Sequence, residues 1–363
     1  MKHIGLDTGN KAETQKGAYW KPALLLAGLY SIMYALFGGH WIFGDAYNYQ
    51  EMSKGCANIA PFMDNSYISA CIYTISRHAP LAINTAILVL AVGYLTYQEK
   101  RIRERNMDAF TRHRHINDSI LLCWYILACP QVLFRYWEPS KEFGIIVLLV
   151  LCGILVQKKT REGVLASMIT LMIVITYRPY AILGYIAAYA IWQTTDRIVN
   201  SRKPASSRNR QIAYYVAGIL LLAITIRGVT YLAYPELFKN WINVGKHGIF
   251  GEWISSPWSI IPISFLNIVG GVSVFTTTKY WDVATTAYFM DWIWRLTLVA
   301  LLIIQRRGRL LMYITAIAVL LASAVPFSHP RYLLPFIAIG AGMEFGSITR
   351  YSAARAEMLQ QKH

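Results

Sequence analysis

The sequence predicts an all-α polytopic integral membrane protein, and three observations carry that prediction. Of its 363 residues 55% are hydrophobic and only 15% charged, with a mean hydropathy of +0.36, whereas a soluble chain carries about 25% charged residues. Apolar runs such as 145–156, 212–226 and 310–325 recur along the whole length, as in a chain that crosses a bilayer repeatedly. Basic residues gather in alternate segments between those runs. A transmembrane barrel would need ten-residue segments of alternating polarity, and a cleaved secretory signal would need an early apolar stretch with a small-residue cleavage site. Neither pattern is present, so the first run reads as a retained helix.

Taken in order, about ten spans are expected in one membrane domain, 1–363: near 22–39, 79–98, 118–134, 143–157, 164–178, 180–194, 212–228, 290–305, 309–325 and 331–348. With the N-terminus inside, the inner segments are 1–21, 99–117, 157–163, 194–211, 305–309 and 349–363. They hold 24 of the 35 Lys and Arg, which favours an N-in, C-in topology. The formal charge of +16 then needs no nucleic acid, and basic loops add affinity for anionic lipid. Segment 259–275 is apolar enough to cross, yet one crossing there would invert all that follows and put Arg306, Arg307 and Arg309 outside. Pro257, Pro262, Gly270 and Gly271 interrupt it, so it reads as re-entrant or interfacial. The outer side then carries a first loop, 40–78, a larger region, 229–289, and three short connections.

The five cysteines fall in two groups: Cys123, Cys129 and Cys152 within helices, Cys56 and Cys71 in the first outer loop. Those two either pair in an oxidising compartment or remain thiols. No zinc spacing, Gly-rich phosphate loop or Gly-x-Ser-x-Gly elbow is present, so nucleotide chemistry on the inner face has no support.

What remains is charge where charge is expensive. Gly44-Asp45-Ala46-Tyr47-Asn48-Tyr49 follows the first span, and Asp45 reads as a general base or cation ligand, or as a solvated loop aspartate. Arg77-His78 precedes the second span, either as ligands or as snorkelling side chains. Arg135, Glu138, Pro139, Ser140, Lys141 and Glu142 lie between the third and fourth spans, where Glu138, Lys141 and Glu142 alternatively pair locally to cap a helix. Arg178-Pro179-Tyr180 and His329-Pro330-Arg331-Tyr332 occupy two further outer connections. Ionisable residues at such depth usually face a protein interior and function. Tyr47, Tyr49, Trp137, Trp253, Trp258, Trp281 and Trp292 read as an interfacial belt or as stacking faces for sugars. Such a set suits a lipid-linked phosphate: cations stabilise charge on a departing phosphate, and Asp45 takes a proton from an attacking hydroxyl.

The first-loop Asp45, the Pro139-Ser140-Lys141-Glu142 element and His329-Pro330-Arg331-Tyr332 with Pro335 together resemble the multi-spanning GT-C-type glycosyltransferases. They also resemble Wzy-type O-antigen and exopolysaccharide polymerases. The resemblance implies a polyprenyl-phosphate-linked sugar donor, an envelope glycan or lipid-linked acceptor, and catalysis on the outer face of a bacterial inner membrane. It maps the catalytic acidic residue, acting as base, to Asp45, and substrate or phosphate ligands to Arg77, Arg135, Lys141, Glu142, Arg178, His329, Arg331 and Tyr332. The family often shows an acidic pair where this chain has Asp45-Ala46. A divalent cation, Mg²⁺ or Mn²⁺, would therefore need substrate phosphates to complete its shell. Region 229–289, with Lys239, Lys246 and His247, is assigned to the acceptor side by position. The rival from another class is a lipid or solute transporter; the lack of visible repeats and of mid-helix carboxylates for proton relay speaks against it.

Overall fold

The computed structural model describes residues 20–38, 79–105, 110–138, 140–158, 160–177, 181–201, 204–233, 235–236, 259–270, 283–324 and 330–360. Among them every regular element is helical. In chain order these are α1 (Lys21–Phe37), α2 (Ala79–Arg105), α3 (Phe110–Leu127), α4 (Pro130–Leu133), α5 (Lys141–Gln157) and α6 (Arg161–Tyr177). Then follow α7 (Ala181–Val199), α8 (Ala205–Ala233), α9 (Ile260–Val269), α10 (Val283–Ile304), α11 (Gly308–Ala324) and α12 (Pro330–Gln360). Each of the ten apolar runs expected to span coincides with a helix. Among the described residues four helices are long and apolar enough to cross a membrane: Pro80–Arg101, Ala205–Ala233, Thr285–Ile304 and Tyr332–Thr349.

Helix boundaries follow backbone chemistry more closely than hydropathy. The third expected span, 118–134, breaks after Leu127 because Pro130 supplies no N–H and restarts the chain as the short α4. Helix α12 runs on to Gln360, beyond the expected 348, through good helix formers such as Ala353, Ala354 and Leu359.

Helix directions can be read from side-chain contacts. Asn84 at the start of α2 reaches the 135–138 link, and Tyr34 and Phe37 at the end of α1 meet Trp137 and Phe134. Gly153 faces Ile339 to Met343, and Gly346 faces Ile154 and Gln157, so α5 and α12 run parallel. Tyr313 donates to the Phe336 carbonyl while Arg309 meets Glu344, so α11 runs opposite to them. The C-termini of α1, α3, α6, α8 and α11 and the N-termini of α2, α5, α7, α10 and α12 thus share one end, here the α4 end. The end of α8 and the start of α10 both lie there, with α9 between them in the sequence. Helix α9 has ten residues and is stopped by Gly270 at φ 73°, where an added Cβ would stand 2.9 Å from the Arg295 Cδ.

Helices α5 and α12 form the centre. The bundle has no water-driven reason to collapse in lipid, so close backbone packing must hold it. Gly342-Met343-Glu344-Phe345-Gly346 supplies that contact: a Cβ at Gly342 would strike the Val150 carbonyl, and one at Gly346 would lie 2.7 Å from the Ile154 carbonyl. The exposure gradient agrees with a membrane solvent. In α12 72% of the span is buried, in α8 only 11%, and its outward face shows Leu221, Ile224 and Leu232. An apolar face of that extent is a liability in water and is ordinary in lipid.

Candidate functional site

The α4 end holds an irregular stretch, 134–138, inside the bundle. Non-helical backbone at membrane depth persists only where protein satisfies it. Here the Asn84 amide donates to the carbonyls of Arg135, Tyr136 and Glu138 at 3.4, 2.9 and 3.3 Å. Tyr30 meets Tyr136 and Phe143 edge-on beside the link, with Tyr30 and Tyr136 centroids 4.7 Å apart, Tyr136 and Phe143 are tilted against each other, and Thr85 shares a 2.7 Å bond with the Tyr136 hydroxyl.

Within this frame Arg135 and Glu142 come together, as two expected site residues. They are 2% and 3% exposed, Arg135 Nη1 stands 3.7 Å from Glu142 Oε2, and the Ser140 hydroxyl donates to the same oxygen at 3.0 Å. Arg135 Nε also donates to Gln131 Oε1 at 3.4 Å. Glu142 sits in the first turn of α5, where the helix dipole favours a carboxylate. Lys141 opens the same helix and Arg331 lies in the first turn of α12; their side chains fall outside the described residues. Tyr332 is half-buried in that turn. Asp45, Arg77, His78, Arg178 and His329 lie outside the described residues, as do Cys56, Cys71 and region 237–258 with Lys239, Lys246 and His247. The described termini that flank Asp45, Arg77, Arg178 and His329 all belong to the α4 end.

Sequence reasoning missed a second pair beside this link. Asp291 and Arg295, one turn apart on α10, are 1% and 0% exposed. Arg295 Nε donates to Asp291 Oδ2 at 2.8 Å, and Nη1 to the Asn267 carbonyl of α9 at 3.2 Å. Asp291 Oδ1 has no hydrogen-bond partner among the described residues. The spacing of four, acid before base, was the available signal. It was hidden because the span was expected to start at 290, which placed Asp291 at an interface. Arg227 of α8, likewise buried, donates to the Ser259 hydroxyl at 2.8 Å and ties α8 to α9.

The opposite end, at the α10–α11 turn, holds a second network. Glu344 accepts from Arg307 Nη1 at 3.0 Å on one oxygen and from Arg309 Nε at 2.8 Å on the other. Arg307 also donates to Ser119 at 2.7 Å, while Arg309 pairs with Asp196 and lies 4.7 Å from the Trp192 ring centre. Glu344 and Asp291 both lie inside candidate spans, which corrects the expectation that no carboxylate sits mid-helix.

Two further expectations resolve as packing. Trp137 is buried against Tyr34 at 6.3 Å, so it offers no stacking face to a sugar, and Trp292 meets Phe289 at 5.8 Å. Cys123, Cys129 and Cys152 are buried thiols. Among the described residues no group of three or more His, Cys, Asp or Glu could hold a metal ion, and Asp45 lies outside them. No family model, curated protein or solved structure matches the chain.

Proposed function

We propose that this chain is an N-in, C-in membrane glycosyltransferase of about ten spans in a bacterial inner membrane, taking its sugar from a polyprenyl-phosphate or polyprenyl-pyrophosphate donor on the outer face. The observation that supports this reading is the gathering of polar groups at one end. The pairs Arg135–Glu142 and Asp291–Arg295 are buried beside the α4 link, and the helix termini flanking Asp45, Arg77, Arg178 and His329 meet at that same end. Buried charge at membrane depth is costly and is usually kept for function.

In this mechanism Asp45 takes the proton of an acceptor hydroxyl as its oxygen attacks the anomeric carbon. The bond from that carbon to the phosphate oxygen breaks, with inversion. The leaving polyprenyl phosphate carries the electron pair, and Arg178, His329 and Arg331 stabilise its charge. Arg77, Lys141 and Tyr332 line the phosphate and sugar; Arg135 and Glu142 hold the link on which Lys141 is mounted. Any Mg²⁺ or Mn²⁺ would be held by Asp45 with substrate phosphates. A Wzy-type polymerase uses the same chemistry with a lipid-pyrophosphate glycan as donor.

One observation favours a rival. Asp291 and Arg295 inside a candidate span are what a lipid or solute transporter would place on its path. Envelope glycan analysis in cells carrying Asp45→Asn, with insertion verified, separates the readings. Loss of one sugar at constant chain length supports single-sugar transfer, and collapse to single repeats supports polymerisation. An unchanged glycan with inserted protein overturns the transferase reading.

A further inference from the structure

A groove of about 410 Å³ runs along the outside of the bundle between α1, α3 and α10, from Lys21 and Gln305 at one end to Ala128, just before α4, at the other. Its floor is Leu26, Leu122 and Trp124, each 5% exposed; its rim includes Leu25, 75% exposed, and Leu121, 52% exposed. The polar groups are unevenly placed. Lys21 and Gln305 stand at the end nearest the α10–α11 turn, since α1 begins and α10 ends there. Tyr125 lies toward the other end, and its hydroxyl is already given to the Trp294 carbonyl at 3.0 Å. Lys21 has no ion pair or hydrogen bond among the described residues. The stretch before it, 1–19, is mostly polar in sequence and ill suited to fill a leucine trough.

We propose that this groove binds one anionic phospholipid, with an acyl chain along Leu25, Leu29, Leu121 and Leu122 and its phosphate headgroup at Lys21 and Gln305. An apolar trough with a cation at one mouth fixes both ligand class and orientation. The leucines take the chain, and the ammonium selects a headgroup of net negative charge over a zwitterionic one. The roughly 300–1,000 Å³ range of small-molecule sites includes this volume. Lys21 is the wrong partner for the outer-face donor, because it stands at the opposite end of the bundle from the α4 link. The inference rests on the membrane reading and uses none of the residues assigned to glycosyl transfer.

Native mass spectrometry of the purified full-length protein tests it, with phosphatidylglycerol and phosphatidylcholine of matched chains as probes. The expected preference for phosphatidylglycerol is about fivefold, one surface-level cation's worth. Lys21→Gln should remove that preference while keeping both lipids bound. Leu25→Trp with Leu121→Trp, at unchanged Tm, should reduce binding of both. Equal binding of the two lipids by the wild type overturns headgroup selection. Undiminished binding to the filled groove overturns the site, and displacement by glycerol phosphate alone would show a free-phosphate site in its place.

Discussion

The two ends of this bundle bury charge in different ways. At the α10–α11 turn, Glu344 has both oxygens engaged by two arginines, and Arg309 is further held by Asp196 and Trp192. At the α4 end, Asp291 keeps one oxygen without a partner among the described residues, and the Arg135–Glu142 contact is long at 3.7 Å. The network joining α3, α7, α11 and α12, with both Glu344 oxygens engaged, behaves as a lock. The Asp291 carboxylate, at the end where four expected site segments begin or end, has an oxygen left for a ligand.

The largest effect should come from opening the lock. Glu344→Ala leaves Arg307 and Arg309 facing one another in the interior, at a cost of about 3–5 kcal/mol. Thermal unfolding in a fixed detergent reads this directly, and a loss below about 1 kcal/mol would mean that the network is not holding the helices. Asp291→Ala uncovers a single guanidinium and should cost less, about 1.5–3 kcal/mol. The double change Asp291→Asn with Arg295→Gln removes both charges and should recover most of that loss.

Packing gives the next test. Gly342→Ala drives a Cβ into the Val150 carbonyl and should cost about 1–3 kcal/mol. Gly218→Ala on α8, where nothing lies within 4 Å, should be neutral or gain up to about 1 kcal/mol from helix propensity. Equal effects at the two positions would contradict a central α5–α12 seam. The smallest effect belongs to Arg306, which closes α10 at φ 53° with its N–H on the Ile303 carbonyl at 3.0 Å, followed by Arg307 on Leu302 at 2.8 Å. Glycine suits that left-handed position, so Arg306→Gly should raise stability by about 0.5–1 kcal/mol, again read as Tm.

The helices were legible because a bilayer demands long apolar runs, and each expected run is helical, the third of them split at Pro130. The interruption of the apolar run that begins at Ser259 was legible too: α9 ends at Val269 and Gly270 stops it at φ 73°. Partner choice was not. Nothing in hydropathy says that Glu142 meets Arg135, seven residues back across a proline-broken link. Glu344 lies inside an apolar run, yet its two arginines come from a turn over thirty residues away. The Gly342–Gly346 spacing stood in the sequence, but its partner at Gly153 needed three dimensions. Of the expected site, Arg135 and Glu142 are brought together, while Asp291 and Arg295 emerged only once α10 was seen to begin at Val283.

One measurement separates a working end from a structural one. Asp291→Asn with Arg295→Gln neutralises a pair at the α4 end, and Asp196→Asn with Arg309→Gln neutralises one at the turn end. Envelope glycan is compared in cells carrying either inserted double variant at matched protein level. Glycan should be lost or truncated with the α4-end variant and retained with the turn-end variant. Retention with the α4-end variant, or loss with the turn-end variant alone, would contradict the assignment of the reaction to the α4 end.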